Sequence, residues 1–311
     1  MPALICGSIA YDTIMVFRDH FKNHILPDKI HILNVAFLVP EMRREFGGCA
    51  GNIAYNLKLL GDEPLIMATV GEDYPAYAAH LERLGLSQAH IRRVDNSFTA
   101  QAFITTDLDD NQITAFHPGA MNFSHLNRVQ DAPGVTLGIV SPDGREGMLQ
   151  HAREFHAAGI PFIFDPGQGM PMFSGDELLD FLRLADYVTV NDYEAQMLEN
   201  KTNQSVTELT KLVAGFIVTK GAEGSTVYAD GQRLDVASVK VGSVVDPTGC
   251  GDAFRAGLIH ALSRGWDIAR ACKLASLMGA IKIESRGGQN HHPTSEEIAT
   301  RFQHAFGEKL W

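Results

Sequence analysis

No stretch of this sequence approaches the roughly 20 consecutive apolar residues that a membrane-spanning helix needs. Cysteine is scarce. Cys6, Cys49, Cys250 and Cys272 are the four; none forms a CxxC pair or joins a histidine cluster. That speaks against a zinc site or a disulfide framework and suits a reducing cytoplasm. Positive charge is short as well: 26 Lys+Arg face 37 Asp+Glu, for a formal net charge of −11. A nucleic-acid surface would carry the opposite sign. A small anionic ligand is not excluded, because a few backbone amides hold one whatever the net charge. The N-terminal MPALICGSIAYD lacks a basic lead, and its apolar run breaks at Gly7 and Asp12. It reads as a buried strand, not a signal peptide. Fixed-period repeats and low-complexity tracts are also missing.

What is present is alternation. Over 311 residues, enough for one large domain with insertions or two domains, strand-like runs alternate with helical ones. The strand-like runs lie at 3–9, 64–71, 135–142, 161–167, 186–191, 215–221 and 225–230, and the helical ones at 49–61, 74–85, 144–159, 176–185, 251–264 and 267–284. In the first helix Ile53, Leu57 and Leu60 recur at i, i+4 and i+7, and Gly61 stops it. A last helix opens near Thr294, with Glu297 at capping-box spacing. The pattern predicts βαβ units and a doubly wound, mainly parallel α/β sheet. Residues 12–46 and 94–118 break it with strand-like pieces (TIMVF, HILNVAFLV, FTAQAFITTD, QITAFHP) and no helix between. They form either a small antiparallel sheet lidding an α/β core of 1–11, 47–93 and 119–311, or edge strands of the main sheet.

Glycine loops stand where helices begin. In VVDPTGCGDAFRAG (244–257) a strand-like lead meets Gly249-Cys250-Gly251-Asp252 and then a small-residue helix. The first amides of a helix lack intrahelical acceptors and sit at the positive end of its dipole, so this arrangement binds an anion. Asp252 is then either a cap, contributing about 1 kcal/mol, or a base beside that anion. The loop is neither a Walker A motif nor GxGxxG. In EFGGCAGNIAYN (45–56), Gly47 and Gly48 permit close backbone approach and Asn52 lies in the first helical turn; a tight turn with a solvent-facing Asn is a sufficient reading. In GSIAYD (7–12), Asp12 follows a strand end and can accept from hydroxyls. Asn191 and Glu194 in NDYE have capping-box spacing, TKGAEGS (219–225) reads as a hairpin turn, and Arg255 shares a helix face with Asp252. It pairs with a carboxylate or approaches a phosphate.

In their order and spacing, Gly7…Asp12, Gly47-Gly48…Asn52, Gly71-Glu72-Asp73, Asn191-x-x-Glu194, Thr219-x-Gly221-x-x-Gly224 and Asp246-x-Thr248-Gly249-Cys250-Gly251-Asp252 resemble the ribokinase-like (PfkB) family of sugar and nucleoside kinases. The resemblance covers essentially the whole chain and, within the family, runs to bacterial nucleoside kinases often labelled adenosine kinases. The last motif is the family's most specific signature, D-T-x-G-A-G-D, from which Pro247-Thr248 and Cys250 depart slightly. The resemblance implies a three-layer αβα domain with a small antiparallel β lid, and transfer of the γ-phosphoryl of ATP to a primary hydroxyl. Asp252 would be the base, with no need of a raised pKa, and the amides of Gly249, Cys250 and Gly251 the anion hole. Asp12 and Asn52 would bind the ribose hydroxyls, with Gly47-Gly48 closing against the sugar. Asn191 and Glu194 would organise Mg²⁺ through water, and Thr219, Gly221 and Gly224 would contact the nucleotide. K⁺ would lie between Asp246/Thr248 and the turn at 284–288. The helix region 275–283 would flank the adenine.

A nucleoside acceptor needs an apolar slot for its base as well as a sugar pocket. Candidates are Ile14, Val16, Phe17, Phe37, Phe103, Phe116 and Met121, most of them equally at home in the small sheet's own core. Phe116, Met121 and Ser8 are the preferred base contacts. This favours phosphorylation of a ribonucleoside (adenosine, inosine, guanosine or cytidine) over a free sugar, or over an inactive nucleoside-binding regulator. His291, His292 and His117 lack a third ligand at metal spacing. The partners expected are the nucleoside and ATP, in a monomer or homodimer without nucleic acid or membrane.

Overall fold

The structure, a computed structural model, describes residues 2–25, 34–109 and 111–311. Its strands in chain order are β1 (Ala3–Cys6), β2 (Ala10–Val16), β3 (Glu41–Gly47), β4 (Leu65–Val70), β5 (Ile91–Arg93), β6 (Ala100–Thr106), β7 (Gln112–His117), β8 (Leu137–Val140), β9 (Phe162–Phe164), β10 (Tyr187–Asn191), β11 (Gly215–Thr219), β12 (Ser225–Ala229) and β13 (Gln232–Val236). The α-helices are α1 (Cys49–Leu59), α2 (Pro75–Arg83), α3 (Arg145–Ala157), α4 (Gly175–Leu184), α5 (Asp192–Thr202), α6 (Val206–Leu209), α7 (Cys250–Leu262), α8 (Ile268–Ile283) and α9 (Ser295–Phe306).

The central strands are short and apolar throughout, as strands covered on both faces must be. They form a nine-stranded sheet in the order β13-β12-β11-β10-β9-β8-β1-β4-β5. From β11 to β5 every neighbour is parallel; only the β11–β12–β13 meander is antiparallel. Alternate side chains feed two cores. Ile5, Ile139, Ile163 and Ile217 pack with α1, α2, α7, α8 and α9, while Leu4, Val140, Phe164 and Val188 pack with α3, α4 and α5. This is the three-layer, doubly wound architecture expected. Strands β5 and β13 escape sequence reading: β5 has three residues, and QRLDV in β13 is almost wholly exposed.

The two irregular stretches make a separate four-stranded sheet, β3-β2-β6-β7. It is mixed, not antiparallel: β2 pairs parallel with β6, and antiparallel pairing holds only for β2–β3 and β6–β7. The chain passes through α1, β4, α2 and β5 between β3 and β6, so β6 re-enters from the body and runs alongside β2 instead of folding back as a hairpin. Of HILNVAFLV, residues 31–33 lie outside the described ones and 34–39 are irregular. Asp73 anchors this sheet to the body, accepting from Thr99 N at 2.7 Å and Gln101 Nε2 at 2.9 Å.

Gly48 joins β3 to α1 with φ 86°, and a Cβ there would lie 2.6 Å from both Ala10 N and Ser8 O. Gly61 has φ 83° with nothing within 4 Å of such a Cβ. Gly48→Ala therefore combines left-handed strain with a backbone clash and should lower unfolding free energy by about 1–3 kcal/mol or more, clearly beyond Gly61→Ala, in parallel urea melts.

Candidate active site

Open parallel sheets present ligand sites at the carboxyl ends of their strands. Here Asp165 follows β9 directly, Asn191 ends β10, and Thr219 ends β11 in register with Asn191. Against them stands the N-terminus of α7. Gly249 caps that helix at φ 77°. No acceptor among the described residues takes the amides of Gly249, Gly251 or Asp252, so they remain available to an anion at the positive end of the helix. Cys250 departs from its expected place in the anion hole: its amide donates to Pro247 O at 3.1 Å, because the left-handed turn at Gly249 points it inward.

Asp252 lies half-buried in the first turn and accepts from Asn52 Nδ2 at 2.8 Å. Burial lifts its carboxyl to about 6, and Asp165 adds to the rise while Asn52 and Arg255 oppose it. Asn52 is itself committed at both ends, since its Oδ1 accepts from Gln289 Nε2 at 3.0 Å. It therefore orients Asp252 in this structure.

Across from this pair, Asp12 on β2 packs its carboxylate against the Cα of Gly47. No donor among the described residues reaches it. Burial, reinforced by Glu45 and Asp246, lifts it to about 6 as well. Paired positions share a face of a sheet, so Glu45, Asp12, Ala102 and Phe116 form one row across β3, β2, β6 and β7. Ile14 and Val16 lie on that face and Phe103 on the other. Phe17 and Phe37 instead stack with Phe21 and His24 in a small aromatic cluster. Phe116 is 52% exposed and Met121 half-buried. Ser8 is buried, and its Oγ accepts from Cys49 N at 3.2 Å. It serves the start of α1.

Asn191 and Glu194 form a complete capping box: Glu194 N donates to Asn191 Oδ1 at 2.7 Å, and Asn191 N to Glu194 Oε2 at 2.8 Å. Burial raises the Glu194 carboxyl, with Asp165 adding to the rise and Arg255 opposing it. Thr219 is half-buried and Gly221 exposed at the turn of the β11–β12 hairpin. Gly224 is displaced from its expected nucleotide contact. It is buried beneath the Val236 carbonyl, its amide donating to Gly221 O at 3.1 Å, so it closes the hairpin.

Arg255 pairs with Asp165. Its Nη2 donates to Asp165 Oδ1 at 2.7 Å and its Nε approaches Oδ2. Both side chains are buried, at 9% and 2% exposed. Burial alone would lower the guanidinium, but the Asp165 charge overrides it and holds Arg255 above its ordinary value, aided by Asp252 and Glu194. A Cβ on Gly251 would sit 2.5 Å from Arg255 Nη1, so the guanidinium lies directly beneath the anion loop. Sequence reasoning left this partner unnamed and missed Gln289 and Lys282. The signals were Asp165 directly after an apolar strand and a lone lysine in LMGAIKI.

Residues 11–295 match the pfkB family of carbohydrate kinases, and the chain belongs to that family. Membership makes it an ATP-dependent phosphotransferase acting on a hydroxyl. A nucleoside kinase of Methanocaldococcus jannaschii is 30% identical over 275 residues, covering 87% of this chain and 89% of that protein. The structure of Burkholderia thailandensis nucleoside kinase in complex with inosine is 50% identical, with TM-score 0.90 and 99% of each chain covered. The same kinase in complex with ADP-inosine is 52% identical, with TM-score 0.88, covering 99% of this chain and 97% of that one.

Two outcomes are expected. An acid whose folded pKa is raised stabilises the fold fully below its unfolded value and loses that contribution as pH rises through the folded one. Asp252→Asn should therefore raise the melting temperature at pH 8, with the gain vanishing as pH falls below about 6, while kcat drops by about 10² or more. A variant less stable than wild type at pH 8 would contradict the raised Asp252 carboxyl. Separately, Arg255→Met leaves Asp165 buried without its partner and should cost about 3–5 kcal/mol in denaturant melts, with Asp165→Leu/Arg255→Met milder than Arg255→Met alone.

Proposed function

We propose that this protein is a nucleoside kinase that transfers the γ-phosphoryl of ATP to the 5′-hydroxyl of a ribonucleoside. The observation that carries the reading is Asp252, held by Asn52 beside three unpaired amides at the start of α7. A carboxylate next to an anion site suits a reaction in which the anion is attacked by a hydroxyl. Asp252 accepts the hydroxyl proton as the bond to phosphorus forms, and the amides of Gly249, Gly251 and Asp252 receive the charge of the transferring group. Little covalent chemistry is asked of the protein; positioning and charge stabilisation carry the rate.

Asp12 supplies free acceptors for the vicinal ribose hydroxyls, with Gly47-Gly48 close behind. Ile14 and Phe116 share Asp12's face and offer apolar surface to a base, which a free sugar would leave unused. The inosine complexes of the B. thailandensis relative favour a purine nucleoside as acceptor. The β3-β2-β6-β7 sheet acts as a lid over the acceptor. ATP would lie along the ends of β10 and β11, with Thr219 and Gly221 near its phosphates. Glu194 uses one carboxylate oxygen in the capping box and has the other open; beside Asp165 it fits Mg²⁺ held through water. When bound, Mg²⁺ neutralises phosphate charge.

A coupled assay over nucleosides and free sugars tests this. Turnover of inosine or adenosine well above ribose is expected, and the reverse order would overturn the acceptor class. Tight nucleoside binding without turnover would make the chain a regulator instead. Asp12→Asn should raise the acceptor's KM about 5- to 100-fold, the effect of leaving hydroxyl partners poorly satisfied, with the KM for ATP little changed.

A further inference from the structure

Lys282 lies in the last turn of α8 and is 0% exposed. A buried ammonium is costly unless it is well partnered, and the usual remedy is a carboxylate. Lys282 has none within hydrogen-bond reach among the described residues. Its Nζ donates to two main-chain carbonyls, Asp246 O at 2.8 Å and Ser285 O at 3.0 Å. Two carbonyl oxygens from different loops around one positive charge are the surroundings that a desolvated alkali cation takes.

The gap it fills is the one between Asp246/Thr248 and the 284–288 turn, where a K⁺ ion was expected. The Asp246 carboxylate is already engaged by main-chain donors. Oδ1 accepts from Thr248 N at 2.9 Å and Oδ2 from Gly287 N at 2.8 Å. The lysine stem then passes beneath the anion loop, with Cε 3.8 Å from where a Cβ on Gly249 would be. The residues present therefore do not fit K⁺, because the protein's own ammonium stands in its place.

We infer that Lys282 is a built-in monovalent cation: it ties the 246–251 loop to the 284–288 turn, adds positive charge behind the anion hole, and frees this kinase from any need of K⁺. Lys282 acts through the loop and is a positioning residue. The inference rests on the kinase reading for its rate effect, but its stability effect does not depend on which acceptor is used.

The test compares wild type with Lys282→Ala in saturating KCl, NH₄Cl and tetramethylammonium chloride at matched ionic strength, reading kcat with ATP and the melting temperature. Wild type should show the same kcat, within about twofold, and the same melting temperature in all three salts. Lys282→Ala should lose kcat by about 10²- to 10³-fold, the range for a lost anion-hole donor. It should also melt lower, and K⁺ or NH₄⁺, but not tetramethylammonium, should restore part of both. Strong activation or saturable thermal stabilisation of wild type by K⁺ would overturn the inference. A Lys282→Ala defect that no small cation relieves in either readout would overturn it too, leaving Lys282 as a helix-end anchor. If Lys282→Ala does not fold, the wild-type comparison alone decides. Melting shifts without turnover of any acceptor would count against the nucleoside-kinase reading and leave the cation inference standing.

Discussion

Acidic groups crowd the start of α7, and the rest of the site is arranged around holding them there. Asp252 sits in the first turn, where Asp165 adds to the rise of both its carboxyl and that of Glu194, while Asp246 adds to the rise at Asp12. Left alone, such a cluster would protonate or push the loops apart. Two buried cations prevent this from opposite sides. Arg255 grips Asp165 from beneath Gly251, and Lys282 ties the loop from beneath Gly249. The helix dipole and unpaired amides add positive potential at the start of α7. The site is thus acidic toward hydroxyls and electropositive toward phosphate, within one turn of helix.

Sheet topology decides which residues meet. Asp165 and Asn191 share an edge because β9 and β10 are parallel neighbours, and Thr219 joins them through register with Asn191. The acceptor side arrives by another route. Asp12 lies on a strand that leaves the main sheet directly after β1, and Gly47-Gly48 bring the chain back into α1, whose Asn52 reaches Asp252. The small sheet therefore enters and leaves the body beside Asp252, so a movement of that sheet would be felt at Asp12 and Gly47 together. Glu45, in the same row as Asp12, accepts from Asn290 Nδ2 at 2.9 Å, which brings the loop between α8 and α9 into the same enclosure.

Much of this could be read from the sequence, for definite reasons. The apolar runs of β1, β8, β9 and β10 and the capping boxes at Asn191 and Thr294 are local signals, and each element formed where its signal stood. Asp252 and Asn52 were marked by glycines whose positions allow only close approach or a left-handed turn. The failures are mostly non-local. The parallel β2–β6 pairing depends on where the chain goes between two strands, not on either strand's residues. The Cys250 amide is lost to a turn that φ at Gly249 creates. Gly224 carries the glycine of a phosphate loop but is buried under β13, a strand too polar to be noticed. Arg255 had a visible position and an invisible partner, ninety residues away on β9's edge.

The two buried cations differ in what they allow. Arg255 donates from Nη2 to Asp165 and lays its planar guanidinium against that buried carboxylate, which pins the helix to the sheet. Lys282 is a point charge on carbonyl oxygens, which tolerate small shifts of the loop without losing the interaction. A phosphoryl-transfer site needs both: a base whose helix does not move against the sheet, and an anion loop able to tighten as charge passes from donor to acceptor. The rigid contact lies under Gly251, next to Asp252. The compliant one lies under Gly249, where the loop turns. That division follows from the donor geometry of the two side chains, and it explains why the two positions are not interchangeable although both carry one positive charge.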